Sequence, residues 1–168
     1  MLFACSNDLE KVREISIVDD EDYPVETVKN GEIIYSDSAV VRVILNAVQM
    51  DRFVGEEPYV EFSDGIEVQF FNPSGKKESE LSADYAVMDE KNKLMEAKRA
   101  VKVRNINGDL LETEHLIWNE ETEMVYTEEF VKITTKDEVI YGEGLEANQD
   151  FSKYTIKKIR GTIAMEHE

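Results

Sequence analysis

The chain has 168 residues, 42% of them hydrophobic, and 37 acidic against 19 basic side chains leave a net charge of -18. This is enough for one domain with a sizeable core, since a domain of about 150 residues buries roughly two thirds of its unfolded surface. The charge argues against nucleic-acid binding, because phosphate attraction needs a basic face, and leaves any anionic ligand to be held by its apolar part or at a small local basic patch. No apolar run approaches the ~20 residues that a membrane-spanning helix needs.

In chain order the first feature is Cys5, the lone cysteine, which rules out an intrachain disulfide. Leu2-Phe3-Ala4-Cys5 resembles the end of a bacterial lipoprotein signal, where a small residue precedes a cysteine that becomes acylated. Phe3 departs from the small residue usual there, and the alternative is a plain terminal cysteine. The polar run after Cys5 favours lipid attachment. Residues 6–30 are charged, contain Pro24 and lack periodicity, so residues 1–30 read as a lipobox remnant and a flexible tether. The acidic run "DDED" at 19–22 is compatible with calcium, although the EF-hand pattern is absent.

From Gly31 the sequence becomes a succession of strand-like runs, which places a β-domain over 31–165 and a tail at 166–168. "GEIIYSDSAVVRVILNAVQM" is rich in Val and Ile, and "YVEFSDGIEVQFF" alternates apolar with polar side chains. "NPSGKK" is a turn signal, and "RAVKVRN", "EFVKITT", "EVIYGEG" and "YTIKKIRGTI" carry β-branched residues at spacing two. Val87–Arg104 has a helix-favouring composition, but its apolar positions hold no helical stripe, and "DEKN" interrupts them as "NEET" interrupts the next segment. Both segments are read as strand-turn-strand.

An internal repeat supports this reading. Aligning 81–108 with 111–138 sets Leu81 on Leu111, Glu90 on Glu120, Val101 on Val131 and Lys102 on Lys132, with Met88 on Trp118 and Val103 on Ile133. Repeated β units of this length bury a core only by stacking, and a β-helix, a sandwich or a jelly roll would each satisfy them. Alternation assigns faces. Met95, Ala97, Val101 and Val103 share one side against Glu96, Lys98 and Lys102, and Val125, Thr127, Val131 and Ile133 share one against Glu128 and Lys132. Trp118, Phe130, Phe70 and Tyr85 are candidates to cap or line the interior. Alternation alone does not distinguish a ligand-binding interior from an ordinary core.

The order of several steps resembles the LptC family of lipopolysaccharide-export proteins, related in fold to OstA-type domains. A Gly turn, a Leu-x-Thr step and a Leu-x-aromatic-Asn step fall on Gly108, Leu111 and Thr113, and Leu116, Trp118 and Asn119. Thr127, Val131 and Ile133 follow, then Gly142, Gly144, Leu145, Ala147 and Asp150, then Ile159, Gly161 and Ile163. The resemblance spans roughly 31–163 and implies an all-β, twisted antiparallel jelly roll, open along one side. It implies further that lipopolysaccharide acyl chains lie against Met95, Ala97, Val101, Val103, Leu111, Thr113, Leu116, Trp118, Val125, Val131 and Ile133. The lipid would come from an inner-membrane ABC transporter complex and pass to a periplasmic bridge protein of the same fold. The best-known family members begin with a transmembrane helix; here a lipidated Cys5 would anchor the chain in the periplasm, at the inner membrane.

Two edges are expected, one in "EIIYSDSAVVRVIL" and one in "YTIKKIRGTIAM". Tyr154, Ile156, Lys158 and Arg160 are the candidate partner-docking edge, for an acidic partner edge or for lipid phosphates, with lysine edge protection as the other explanation of the same residues. Catalysis finds no support: His115 and His167 have no nucleophile or HExxH context, and no cofactor or metal motif is present.

Overall fold

A computed structural model describes residues 23–165. Cys5, the first part of the tether, the acidic run at 19–22 and His167 lie outside the described residues. Eleven strands cover most of the rest: β1 (Glu26–Asp37), β2 (Val40–Phe53), β3 (Tyr59–Phe62), β4 (Ile66–Phe71), β5 (Lys77–Ala83), β6 (Tyr85–Asp89), β7 (Leu94–Asn105), β8 (Leu110–Asn119), β9 (Met124–Thr134), β10 (Glu138–Asn148) and β11 (Tyr154–Ala164). β1 starts at Glu26, five residues before the sequence-based boundary at Gly31. Glu26 to Lys29 pair with Arg52 to Gln49, and this outer strand buries so little that no alternation marks it.

All pairings are antiparallel within one 11-stranded sheet. β3 with β4, and β5 with β6, act as two interrupted strands. β2 pairs with β4 through Val43–Ala47 and with β3 through Asp51–Phe53. β7 likewise pairs with β6 through Leu94–Lys98 and with β5 through Lys102–Asn105. The eleven segments therefore trace nine long strands in simple up-and-down order, each folded across a common crease. Register shifts mark the crease, between Lys98 and Val101 on β7, Thr113 and Ile117 on β8, and Glu143 and Leu145 on β10. Arg99 (φ 64°), Ala100 (φ 49°) and Gly144 (φ 69°) adopt left-handed backbone there, as bulges that bend a strand require. The result is two facing wings, the antiparallel jelly roll that the resemblance implies and one of the three architectures the repeat allows.

The repeat is real in three dimensions. The β6–β7 turn and the β8–β9 turn use left-handed residues thirty positions apart, Lys93 and Glu123, each at φ 53°. Asp89 Oδ1 accepts from the Lys91 and Asn92 amides, and Asn119 Oδ1 accepts from the Thr122 amide. An Asx side chain thus supplies the local acceptor that lets a short acidic turn close without burial. The helix-favouring composition of 87–104 yields to cross-strand pairing on both sides, which a lone helix there would forfeit.

The two wings meet through their inner faces. Phe70 of β4 packs its ring edge-on against Trp118 of β8, centroids 5.3 Å apart at 68°. Around them Phe62, Phe151, Leu111, Leu116, Ile133, Leu145, Val68, Val101, Val103 and Val131 are essentially without solvent contact. The space between the wings is filled by side chains in this state.

Candidate functional site

The inner faces form the candidate site. Met95, Ala97, Val101, Val103, Leu111, Thr113, Leu116, Trp118, Val125, Val131 and Ile133 are all buried and belong to one continuous apolar cluster, Thr113 excepted as a buried polar member. Cross-strand partners share a face, so the rows can be followed across the sheet. Val103, Leu111 and Ile133 are in register in one wing, and Met95, Trp118 and Val125 in the other. Alternation runs 111, 113 and then 116, 118, a change of phase where the register with both neighbouring strands shifts, between Thr113 and Ile117.

Two hydroxyls punctuate this apolar face at the crease. Thr113 donates to the Phe130 carbonyl at 2.9 Å, and Thr127 Oγ1 accepts from the Glu129 amide at 3.1 Å. Each satisfies a backbone group that the bulges release from the ladder, so no bare polar atom faces the interior. This explains hydroxyl residues at positions where a strand core would otherwise carry Val.

The outer face is charged and paired across strands. Lys132 Nζ lies 2.7 Å from Glu112, and Glu96 contacts both Lys98 at 2.9 Å and His115 at 2.7 Å. Burial pushes the Glu96 carboxyl up, but hydrogen bonds from Lys98 and His115 outweigh it and hold the group below the usual glutamate range. His115 is thus a hydrogen-bond partner of Glu96 on the outer face, at 2.7 Å. Two aromatic assignments change. Phe130 is 52% exposed and stacks on Tyr141 outside the wings, because its neighbour Val131 takes the inward position after the bulge. Tyr85 sits at the crease, donating to Glu61 at 2.7 Å beneath the Arg99 guanidinium, rather than lining the interior.

Where the crease interrupts β3–β4 and β5–β6, a groove of about 550 Å³ opens, lined in part by Asp64, Gly65, Asp84 and Ala100. It reaches the buried Ala47, Ile66 and Ala83, so it is a surface opening next to the core. At the wing tips opposite the crease, Arg42 of β2 holds Glu123 of the β8–β9 turn at 3.1 Å.

β1 and β11 end the sheet, each paired on one side among the described residues. β2, which the sequence groups with β1 as an edge, is paired on both sides. On β11, Tyr154 and Ile156 pack against the core, whereas Lys158 and Arg160 are exposed. The basic stretch is largely matched within its own sheet. Arg160 lies 2.5 Å and Lys158 3.7 Å from Glu143, and Lys157 pairs with Glu128. The hydrogen bond from Arg160 holds the Glu143 carboxyl below its ordinary range. What β11 leaves open is its backbone edge, together with Ile159 and Ile163.

A long-stranded antiparallel sheet folded into an open roll, apolar within and charged without, defines an all-β protein of the jelly-roll class. The family model LptC, described as lipopolysaccharide-assembly, LptC-related, matches residues 7–164. The chain belongs to the LptC family, and its work lies in lipopolysaccharide transport. This is not a known enzyme family. No curated protein matches the sequence.

Proposed function

We propose that this chain is a non-enzymatic lipid carrier of the bacterial envelope that takes lipopolysaccharide acyl chains between its wings. The observation that carries the reading is the continuous apolar face from Met95 to Ile133, uninterrupted by charge, in a member of a lipopolysaccharide-assembly family. Burying acyl methylenes there gains about 0.8 kcal/mol each without any directional partner, while the phosphorylated head group stays in water. In this reading the chain is anchored in the periplasm at the inner membrane through Cys5. It receives lipid from an inner-membrane ABC transporter complex and passes it on to a periplasmic bridge protein of the same fold. The open backbone edge of β11, at Tyr154, Ile156, Lys158 and Arg160, suits strand addition by that bridge protein.

Photo-crosslinking in cells tests it. A crosslinking residue at Thr113 or Val131 captures lipopolysaccharide, and one at the outward Glu112 or Lys132 does not. Capture from the outward pair alone would overturn the reading. The packed interior supports a second reading, an envelope scaffold with a closed core. That reading expects partner crosslinks at β1 and β11 and no lipid co-purifying with the chain in native mass spectrometry.

A further inference from the structure

The β10–β11 loop crosses the gap between the wings at their tips. It carries an apolar side chain in the place where an open roll would admit a ligand. Phe151 is 1% exposed although it sits in a loop, and its backbone holds a left-handed φ of 53° that a phenylalanine rarely adopts. Unusual backbone of this kind persists only where the surroundings enforce it. Here they do so through polar contacts to the opposite wing. Ser79 of β5 donates to the Gln149 carbonyl at 2.6 Å, and Asn105 of β7 donates to the Phe151 carbonyl at 3.2 Å. Trp118 donates to the Gln149 side chain at 3.1 Å, on the loop's own wing. Ser79, Asn105 and Gln149 are three of the few buried polar residues among the described residues, and all three serve this loop.

The loop is also built as a unit. The Phe151 amide donates to the Asn148 carbonyl, the Lys153 amide to the Asn148 side chain, and the Ser152 amide to Asp150. Phe151 stacks on Tyr154 at the start of β11, centroids 5.1 Å apart. Lifting the loop therefore breaks its few bonds to β5, β7 and Trp118, and the Gln149 amide's bond to the Glu123 carbonyl at 2.9 Å in the neighbouring β8–β9 turn, while its internal turn stays intact. Those groups are hydroxyl, amide and indole N–H, which water or a lipid head group can satisfy on release.

We propose that Gln149–Ser152 is a latch. Phe151 occupies the end of the acyl-chain path, and lipid enters by displacing it, with the wings parting at Ser79 and Asn105. The proposal rests on the lipid-carrying reading and assigns it a gate. It differs from general core packing in a testable respect: loosening the latch speeds entry, whereas loosening the core elsewhere does not.

Trp118, the chain's lone tryptophan, reports on the event because it touches both Gln149 and Phe70. The test mixes the full chain with rough-type lipopolysaccharide in stopped flow and follows Trp118 emission. It compares wild type with Ser79→Ala, Asn105→Ala, Phe151→Ala, the conservative Phe151→Leu, and, as a core control outside the face assigned to lipid, Met50→Ala, which truncates a buried side chain of β2. Each of the first three raises the loading rate about tenfold, the scale of one lost hydrogen bond or anchor. Phe151→Leu stays near wild type, and so does Met50→Ala despite its loss of stability. Latch variants that load at the wild-type rate, or that gain no more than Met50→Ala, would overturn the latch while leaving the carrier reading standing. If wild type and every variant take up no lipopolysaccharide, the carrier reading itself fails and the latch goes with it.

Discussion

Truncating Leu111 measures how tightly the wings close. Leu111 has no solvent exposure and lies in register between Val103 and Ile133 on the inner face. Leu111→Ala removes the equivalent of three methylene groups, about 2.4 kcal/mol at roughly 0.8 each. A cavity that the neighbours only partly refill raises the cost to about 3–4 kcal/mol. For a chain of this size that lowers the melting temperature by about 6–16 °C, at about 2–4 °C per kcal/mol. Urea titration followed by Trp118 emission gives the free energy, provided the denaturant slope is unchanged. Leu81→Ala is the internal comparison, since Leu81 occupies the equivalent place in the repeat, between Val68 and Val103. Its cost should agree to within about 1 kcal/mol, the scatter expected between similar sites. A cost below about 1 kcal/mol for Leu111→Ala would refute the packed interior and describe wings already parted around a loosely filled groove.

Gly142→Ala tests the attachment of β11. A Cβ at Gly142 would come within 2.3 Å of Ile156 Cγ2 and 3.0 Å of the Lys158 carbonyl, so the variant loses about 1–3 kcal/mol. Hydrogen exchange should show that loss chiefly as lost protection along Tyr154–Ala164; uniform protection would argue against a local clash. Acid stability tests Asp51, whose carboxyl is held below its usual range by hydrogen bonds from Thr27 at 2.5 Å and Gln49 at 2.6 Å. A depressed folded-state value adds stability above the unfolded value of about 3.9, and that stability is lost as pH falls through the folded value. The advantage of wild type over Asp51→Asn therefore shrinks below about pH 4, and a gap in urea midpoint that does not change with pH contradicts this. At alkaline pH, Tyr85 ionises only near about 12, because burial and then the hydrogen bond to Glu61 disfavour the phenolate. Since the unfolded phenol ionises near about 10, stability falls as pH rises through that interval. In ultraviolet titration one late tyrosine transition disappears in Tyr85→Phe.

The inward faces of β7, β8 and β9 were legible because water enforces charge on the opposite face, so period two survives in Glu96, Lys98, Glu112 and Lys132. The turn at Asp89–Lys93 was legible through its echo at Asn119–Glu123. The crease was not, because the bulges at Arg99 and Ala100 on β7 and between Thr127 and Phe130 on β9 carry ordinary side chains and only the backbone bends. The β9 bulge turns Phe130 outward, where it is exposed. The start of β1 was hidden for the opposite reason: Glu26 to Lys29 pair with β2 yet bury almost nothing, so no alternation marks them. The loop at Gln149–Ser152 reads as a plain turn, and the burial of Phe151 is decided by Ser79 and Asn105, far off in sequence. The interior's amino acids are thus plain in the sequence. Its closure is a property of contacts between wings.

The central claim is that acyl chains lie between those wings, and intermolecular nuclear Overhauser effects address it most directly. With methyl-labelled chain and lipopolysaccharide, acyl methylene protons should show cross-peaks to the methyls of Val101, Leu111, Val131 and Ile133. Cross-peaks confined to the exposed Ile33, Val48 and Ile159, with none to the interior methyls, would contradict it.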